Sequence, residues 1–198
     1  MTTIDIGRAT LVPALELVQD NVPFRSRRGR AIRFRQVTPG DTCALAELLQ
    51  GLSPETIHLR YFLPRPRFAP EEARQEALRL VGGVPRDLVL LGLVEARGQE
   101  QAIAIAELVR DAAHSAVGEV GLVVADAYQG EGIGSALGAE LLARAAWHGV
   151  STMRASALDE NTPVRRLIAR LGLPYTVERS QGVITFQGDI RGYTPRVG

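Results

Sequence analysis

The chain has 198 residues, of which 45% are hydrophobic and 23% are charged, and its formal net charge is +1. This composition is typical of a globular protein, and the length allows one domain with an appendage. A charge near zero gives no electrostatic support for nucleic acid or a membrane as the main partner. The longest apolar run, Leu88 to Val94, is too short to span a bilayer. A single cysteine, Cys43, excludes an internal disulfide and predicts a reducing, cytoplasmic location.

Residues 1–30 are predicted to be an N-terminal extension that ends in a basic linker. Pro13 and Pro23 limit regular structure, although Leu11 to Val18 could form a short helix or strand. The segment 25–30 contains four arginines. We interpret it as a solvated connector; contact with nucleic acid or with the phosphate of a ligand is the alternative.

From residue 31 to residue 115 the pattern predicts a strand, two or three helices and two more strands. Asp41 is the expected N-cap of the first helix, which ends at Gly51 with Cys43 among its inward-facing residues. Ser53 and Pro54 start the second helix, and the third begins at residue 70. The strands are predicted at 31–37, 88–96 and 101–109.

The central stretch changes from strand period to helix period across three glycines. Val117 to Ala125 is an apolar run of strand type, the turn 126–129 follows, and the helical pattern begins at Ile133. The glycines are Gly130, Gly132 and Gly134. Bare backbone N–H groups and the positive end of the helix dipole meet at such a turn, so the turn favours an anion such as phosphate.

Two common phosphate-binding patterns do not fit this turn. A Walker loop requires Lys after the last glycine, where this chain has Ser135. A G-x-G-x-x-G fingerprint places its third glycine on Ser135 or on Leu137. Beyond the central helix, the pattern predicts a strand at 149–158, a helix at 164–171 that starts from Asn161, and a terminal hairpin at 177–186.

The segment Gln129-x-x-Gly132-x-Gly134 resembles the pyrophosphate loop of the GNAT N-acetyltransferase superfamily. Residues 52–62 resemble a helix of its bacterial Pat-like protein acetyltransferase branch, and the segment from Asn161 to Leu173 resembles a second family motif. The likeness covers residues 31–190. It implies an α/β (α+β) fold, with a mixed, mostly antiparallel central sheet flanked by helices and splayed open between the fourth and fifth predicted strands.

The resemblance also implies a function and its partners. We expect a bacterial, cytoplasmic acyltransferase that uses acetyl-CoA as co-substrate and no metal. The acceptor would be an amine, on a protein lysine or a small molecule, with no nucleic acid or membrane partner and a monomeric or homodimeric state. The predicted organisation is an extension at 1–30, the acetyltransferase domain at 31–190 and a tail at 191–198.

Glu119 is the expected general base, because it is the one acid in the central strand and resembles the strand-four glutamate that serves as base elsewhere in the family. An ordinary carboxylate held by an arginine is the alternative, and Glu107 is the second candidate base. Many relatives carry a tyrosine as general acid where this chain has Ile168; Tyr175 is a possible substitute. A silent acyl-CoA-binding sensor is therefore a second hypothesis.

The cofactor contacts that the resemblance implies come from three places. Backbone groups of strand four would pair with pantetheine, the glycine-rich loop would hold the pyrophosphate, and Asn161 would either cap its helix or contact the pantetheine arm. Glu131 departs from the family, in which many members carry a basic or neutral residue at this position. An acid beside a phosphate is unfavourable unless its side chain points to water. The full set is Leu122, Val123, Val124, Gln129, Gly130, Glu131, Gly132, Ile133, Gly134, Ser135 and Asn161.

Overall fold

A computed structural model describes residues 21–62, 64–84, 86–96 and 98–195 of the chain. The described residues form one eight-stranded sheet with five α-helices packed on its two faces. The strands are β1 (Val22–Arg25), β2 (Ala31–Gln36), β3 (Leu88–Ala96), β4 (Gln99–Arg110), β5 (Val117–Val124), β6 (Thr152–Leu158), β7 (Tyr175–Ser180) and β8 (Val183–Asp189). The helices are α1 (Thr42–Gln50), α2 (Pro54–Tyr61), α3 (Pro70–Gly82), α4 (Ile133–Trp147) and α5 (Thr162–Leu171).

The sheet is mixed and mostly antiparallel, as the sequence predicts. Its strand order is β1-β2-β3-β4-β5-β6-β8-β7, and β5 with β6 is the one parallel pair. A parallel pair needs a crossover connection, which α4 provides between β5 and β6. The site described below lies at this crossover.

Each face of the sheet covers its own apolar core. On one face α4 and α5 bury residues such as Leu137, Leu141 and Ile168 against even-numbered positions of β5. On the other face α1, α2 and α3 bury residues such as Leu49 and Ile57. Because side chains alternate along a strand, consecutive residues of β5 face opposite cores. This alternation decides which side of the sheet each candidate site residue faces.

Local signals explain most of the helix boundaries. The Ser53 hydroxyl accepts a hydrogen bond from the Thr56 N–H at 3.2 Å, so Ser53 is the N-cap of α2. Proline occupies the first position of both α2 and α3, where its missing N–H has no partner to lose. Among the described residues no helix is long and apolar enough to cross a membrane.

The structure differs from the sequence prediction at three places. β1 lies inside the predicted extension and pairs with β2, and its Phe24 ring stacks on Phe34 with centroids 5.4 Å apart. Asp41 is at the N-cap position of α1 as predicted, but its side chain makes no capping hydrogen bond, because its carboxylate accepts from Thr38 and Arg35 instead. Cys43 is exposed rather than inward-facing. The predicted short element at 11–18 lies outside the described residues.

Candidate active site

The strands β5 and β6 separate immediately after Glu119. Their parallel pairing joins Val117–Glu119 to Thr152–Arg154 and goes no further. Beyond that point β5 stays paired with β4, while β6 stays paired with β8. The sheet therefore opens into a fork, and Glu119 is the last residue of β5 before the gap.

The register of β4 and β5 determines which backbone groups face the gap. Ala125 N–H donates to the Ile103 carbonyl and Asp111 N–H donates to the Val117 carbonyl, so the odd-numbered residues of β5 direct their N–H and C=O groups to β4. The even-numbered residues Val120, Leu122 and Val124 direct theirs to the open side. Our expectation of unpaired backbone is wrong for Val123, because its groups face β4. The Val124 carbonyl is also occupied, since it accepts the Gln129 side-chain amide at 3.0 Å.

A cleft of about 560 Å³ occupies the fork and runs to the N-terminus of α4. Residues of β5, the glycine-rich loop and helices α2, α4 and α5 line it. Every predicted site residue except Glu119 and Glu131 is part of this lining: Leu122, Val123, Val124, Gln129, Gly130, Gly132, Ile133, Gly134, Ser135 and Asn161. Sequence reasoning missed Thr56, Leu59, Tyr128 and Leu167, which also line the cleft.

The glycine-rich loop has a backbone that other residues rarely adopt. Gly130 and Gly132 have φ of 75° and 89°, in the left-handed region where glycine carries no steric penalty. A Cβ on Gly134 would lie 3.2 Å from Leu122 and 3.3 Å from Leu167, so this glycine lets α4 pack closely on β5 and α5. The first N–H groups of α4 have no helical carbonyl partner and point to the loop. The arrangement fits a phosphate.

Glu131 does not face this anion site, contrary to the concern raised by the sequence. Its side chain is 1% exposed and points away from solvent. The carboxylate accepts a hydrogen bond from the Ser26 hydroxyl at 2.6 Å and from Arg30 Nε at 3.2 Å. The Arg28 guanidinium lies further away, at 3.9 Å. The negative charge is thereby compensated inside the protein.

Glu119 is exposed and lies on the α2 side of the sheet. It shares a face of β5 with Gly121, and a Cβ on Gly121 would contact the Arg60 guanidinium of α2. Among the described residues no side chain pairs with the Glu119 carboxylate and no group donates a hydrogen bond to it. The arginine-held alternative that the sequence left open therefore has no partner within the described part of the chain.

Glu107, the second candidate base, has a different environment. It lies opposite Gly121 on β4 and is 5% exposed. Its carboxylate accepts hydrogen bonds from Arg60 and, at 2.9 Å and 3.1 Å, from Arg79. With both oxygens engaged by guanidinium groups, Glu107 has little capacity to accept a substrate proton.

A polar network that the sequence did not reveal joins α2 to the loop. Asp126 accepts hydrogen bonds from the Ser53 N–H at 2.9 Å and from the Thr56 hydroxyl at 2.8 Å. Burial alone would raise the pKa of Asp126, but the hydrogen bonds from Ser53 and Thr56 outweigh it and leave the pKa below its usual value. The Gln129 amide donates to the same Thr56 hydroxyl at 3.0 Å. The Gln129 side chain is thus a brace between β5 and α2.

The residues considered for pantetheine contact and for the general acid differ in whether they line the cleft. Asn161 caps α5, because its Oδ1 accepts from the Val164 N–H at 3.1 Å, and it also lines the cleft. Ile168 is buried and supplies no acid. Tyr175 lies outside the cleft, with its ring against Phe186. Tyr128 lines the cleft, and the Arg30 guanidinium lies 4.9 Å from the centre of its ring.

A forked mixed sheet with a glycine-rich turn at the crossover defines an acyltransferase fold of the GNAT type. The family model described as the acetyltransferase (GNAT) family matches residues 45–173, more than half of the chain. The chain belongs to this family.

Three proteins similar to this chain illustrate its sequence identity and structural similarity to other acetyltransferases. Acetyltransferase Pat from Mycolicibacterium smegmatis is 30% identical over 169 residues, which are 85% of this chain and 49% of that protein. This chain therefore spans about half the length of that relative. The solved GNAT domain of S. lividans PAT is 25% identical with a TM-score of 0.73, over 85% of this chain and 96% of that one. A phosphinothricin acetyltransferase from Sinorhizobium meliloti, solved in complex with AcCoA, shares the fold at 18% identity and a TM-score of 0.65, over 84% of this chain and 94% of its own.

Proposed function

We propose that the protein is an acetyl-CoA-dependent N-acetyltransferase that transfers the acetyl group directly to a primary amine, with Glu119 as general base. One observation carries the proposal: the sheet opens immediately after Glu119, beside unpaired backbone groups that lead to an anion-binding turn. The family membership supports acyl-CoA as the donor. The acceptor and the base are our own assignments.

Different parts of the cleft would bind different parts of acetyl-CoA. Among the described residues, no strand pairs with the N–H and C=O groups of Leu122 or the N–H of Val124. These groups could pair with the amides of the pantetheine arm, so the arm would extend the sheet like an added strand. The loop from Gln129 to Ser135 would take the pyrophosphate on its N–H groups. Acetyl-CoA supplies the activated acyl group as a thioester.

The acceptor amine requires a base because an alkylammonium has a pKa of about 10.4, so about one molecule in a few thousand is neutral at pH 7. Glu119 stands at the apex of the fork on the α2 side, opposite α4. Its carboxylate is free of protein partners among the described residues, so it can accept the ammonium proton directly or through a water. The neutral nitrogen then attacks the thioester carbonyl carbon, so the C–N bond of the amide forms while the C–S bond breaks. CoA leaves as a thiolate that carries the bonding electron pair and takes a proton from solvent, and the nitrogen releases its second proton to solvent.

A protein lysine is the acceptor class that we favour. The helix α2 carries the Pat-like segment and walls this side of the cleft through Glu55, Thr56, Leu59 and Arg60. A small-molecule amine is the other acceptor that the fold can take. A bacterial cytoplasmic location and a monomeric or homodimeric state stay predictions.

The second candidate function is a silent acyl-CoA-binding sensor, and the position of Ile168 favours it. That residue is buried where many relatives carry a tyrosine acid, and Tyr175 lies outside the cleft. A thiolate with a pKa near 8.5 can leave without an acid, so the missing tyrosine slows the transfer without preventing it. The two functions differ in turnover, not in binding.

The test measures acetyl-CoA binding by calorimetry and thiol release with lysine peptides and small amines. Glu119→Gln should lower kcat by about 10²- to 10⁴-fold with little change in cofactor affinity. Glu178→Gln, with the same charge change on an exposed position of β7, is the matched control and should keep full activity. Because all 23 basic residues are arginine, no lysine of the enzyme adds to acetylation of a protein substrate. Cofactor binding without thiol release by the wild type would establish the sensor instead.

A further inference from the structure

Residues 21–30, which we call the N-terminal strap, pack against the glycine-rich loop. The strap begins with β1, which is paired with β2 and anchored by the stacked rings of Phe24 and Phe34. It then turns at Gly29, where φ is 78°, and returns to the sheet at Ala31. From the sequence, the basic part of this segment is interpreted as a solvated connector, with a phosphate contact kept as the alternative; in the structure one strap residue, Arg27, lines the cleft.

Buried contacts fix the strap to the loop at Glu131. The Ser26 hydroxyl and Arg30 Nε both donate to the Glu131 carboxylate, and the Arg27 N–H donates to the Glu131 carbonyl at 3.0 Å. We call the contacts of Ser26, Arg27 and Arg30 with Glu131 the clasp. Its centre is shielded from water, because Ser26 is 4% and Glu131 is 1% exposed, while the Arg30 side chain is 42% exposed. The Arg30 guanidinium also lies over the Tyr128 ring. The strap is therefore held in one position relative to the loop.

Of the four arginines in the strap, Arg27 is the one that lines the cleft. Its Nε is 3.6 Å from where a Cβ on Gly132 would be. None of the described residues forms an ion pair or a side-chain hydrogen bond with its guanidinium. Glu131, the one charged residue of the loop 129–135, is already engaged by Ser26 and Arg30, so it does not neutralise Arg27.

We infer that Arg27 binds the pyrophosphate of the acyl-CoA donor and that Glu131 is the positioning residue that holds the strap in place. This inference rests on the proposed function. It accounts for an acid in a phosphate-binding loop: Glu131 acts as the clasp, and the positive charge comes from the strap. A guanidinium beside glycine N–H donors is a good phosphate ligand, because it donates two parallel hydrogen bonds.

The position of Arg27 favours the pyrophosphate over the ribose phosphate of CoA. Its side chain lies beside Gly132, at the N-terminus of α4, where the loop N–H groups converge. Of the other arginines that line the cleft, Arg60 is engaged by Glu107, and Arg166 and Arg170 are exposed on α5. Acetyl-CoA, its analogue without the 3′-phosphate, and S-acetylpantetheine, which has no pyrophosphate, distinguish these sources of negative charge.

The experiment measures the Kd of the full chain for these three probes by calorimetry. Arg27→Gln should weaken acetyl-CoA and the dephospho analogue equally, by about ten- to a hundredfold, as expected for a charge-assisted hydrogen bond. It should not change the affinity for S-acetylpantetheine. Arg25→Gln is the matched control, because it removes the same charge from the strap at a residue outside the cleft and the clasp. It should change each Kd by less than about twofold.

The positioning role of Glu131 is tested by a double-mutant cycle. Glu131→Gln should weaken acetyl-CoA binding in the wild-type background and have little further effect in Arg27→Gln, because both changes remove the same contact. Equal effects of Glu131→Gln in both backgrounds would overturn the positioning role. Thermal unfolding reports whether the Glu131→Gln variant folds. If it does not, the first test stays valid, because Arg27→Gln removes no ion pair or side-chain hydrogen bond among the described residues.

The outcomes separate this inference from the proposed function. If the wild type binds and turns over acetyl-CoA while Arg27→Gln and Arg25→Gln behave alike, the strap inference fails and the proposed function stands. If Arg27→Gln loses affinity for acetyl-CoA alone and not for the dephospho analogue, the ligand is the 3′-phosphate and the pyrophosphate assignment is wrong. If the wild type binds none of the three probes, the proposed function fails first.

Discussion

Glu107 and Glu119 are two glutamates on neighbouring strands and the same face of the sheet, yet their surroundings differ completely. Glu107 is 5% exposed and is bound by Arg60 and Arg79, which cross from α2 and α3. Glu119 is exposed at the point where β5 leaves β6, and no described residue donates to it. One carboxylate joins two helices to the sheet, while the other is exposed and has no partner among the described residues.

The difference shows that the role of a carboxylate in this fold is decided by which groups already occupy its oxygens. Glycine at position 121 contributes, because a Cβ there would meet the Arg60 guanidinium that reaches Glu107. Glu119 lies two residues before Gly121 in β5, and among the described residues it forms no ion pair with Arg60. We therefore expect substitutions at the two glutamates to have opposite signatures, one in stability and one in turnover.

The largest stability effect is expected for Glu107→Gln. The change removes the counter-charge of Arg60 and one of the two carboxylates that bind Arg79, which keeps its ion pair with Glu76 at 2.8 Å. In this largely buried site the loss should lower the free energy of unfolding by about 2–3 kcal/mol. We place it below the value for fully buried pairs because the Arg79 side chain is 47% exposed. Urea unfolding checks it, with Glu119→Gln as the matched variant that should stay within about 0.5 kcal/mol of wild type. Equal destabilisation by the two changes would contradict the comparison.

Asp41 shows whether guanidinium pairing also governs stability against acid. Burial alone would raise the pKa of Asp41, but the hydrogen bonds from Arg35 and Thr38 outweigh it and hold the pKa below 3.8. When folding lowers the pKa of a carboxyl group, the ionised carboxylate stabilises the folded protein. This contribution is complete at a pH above the pKa of the unfolded state, and it is lost as the pH falls through the pKa of the folded state. Asp41→Asn should therefore cost about 1–3 kcal/mol at pH 7 and less as the pH falls below 3.8. A difference in the free energy of unfolding between wild type and Asp41→Asn that stays constant from pH 7 to about pH 2.5 would refute this prediction.

The elements with strong local signals were predictable from sequence. The apolar run of β3 has the bounds 88–96 in both the prediction and the structure, and the caps of α2 and α5 are where Ser53 and Asn161 indicated. The predicted family and fold are confirmed by the family model and by the structure of S. lividans PAT. These features depend on residues within a few positions of each other, which a single sequence records.

Contacts between distant parts of the chain were not predictable. β1 has four residues and contains Pro23, so its pattern is weak, and its place depends on Phe24 packing on Phe34. The environment of Glu131 depends on Ser26, which is 105 positions earlier. The unpaired Val123 backbone was expected from a fork in the sheet, but only the register with β4 shows which residues face the gap. Such facts are set by tertiary pairing, not by periodicity.

The smallest effect is expected for substitutions of Asn161, whose side chain caps α5 and also lines the cleft. Its Oδ1 caps α5 by accepting from the Val164 N–H, while its amide nitrogen has no partner among the described residues and the residue lines the cleft. Aspartate caps a helix as well as asparagine, so Asn161→Asp should change the free energy of unfolding by less than about 0.5 kcal/mol, whereas Asn161→Ala should lower it by about 1 kcal/mol.

Binding should follow a different order, because aspartate lacks the N–H donor and adds a negative charge to the cleft. If the amide nitrogen of Asn161 donates to the pantetheine arm, Asn161→Asp should raise the KM for acetyl-CoA by about three- to tenfold although it keeps the helix cap. Steady-state kinetics beside thermal unfolding separates the two roles. A KM that rises only for Asn161→Ala, in step with its lost stability, would mean that Asn161 acts as a cap alone and that the pantetheine arm is held by the backbone of β5.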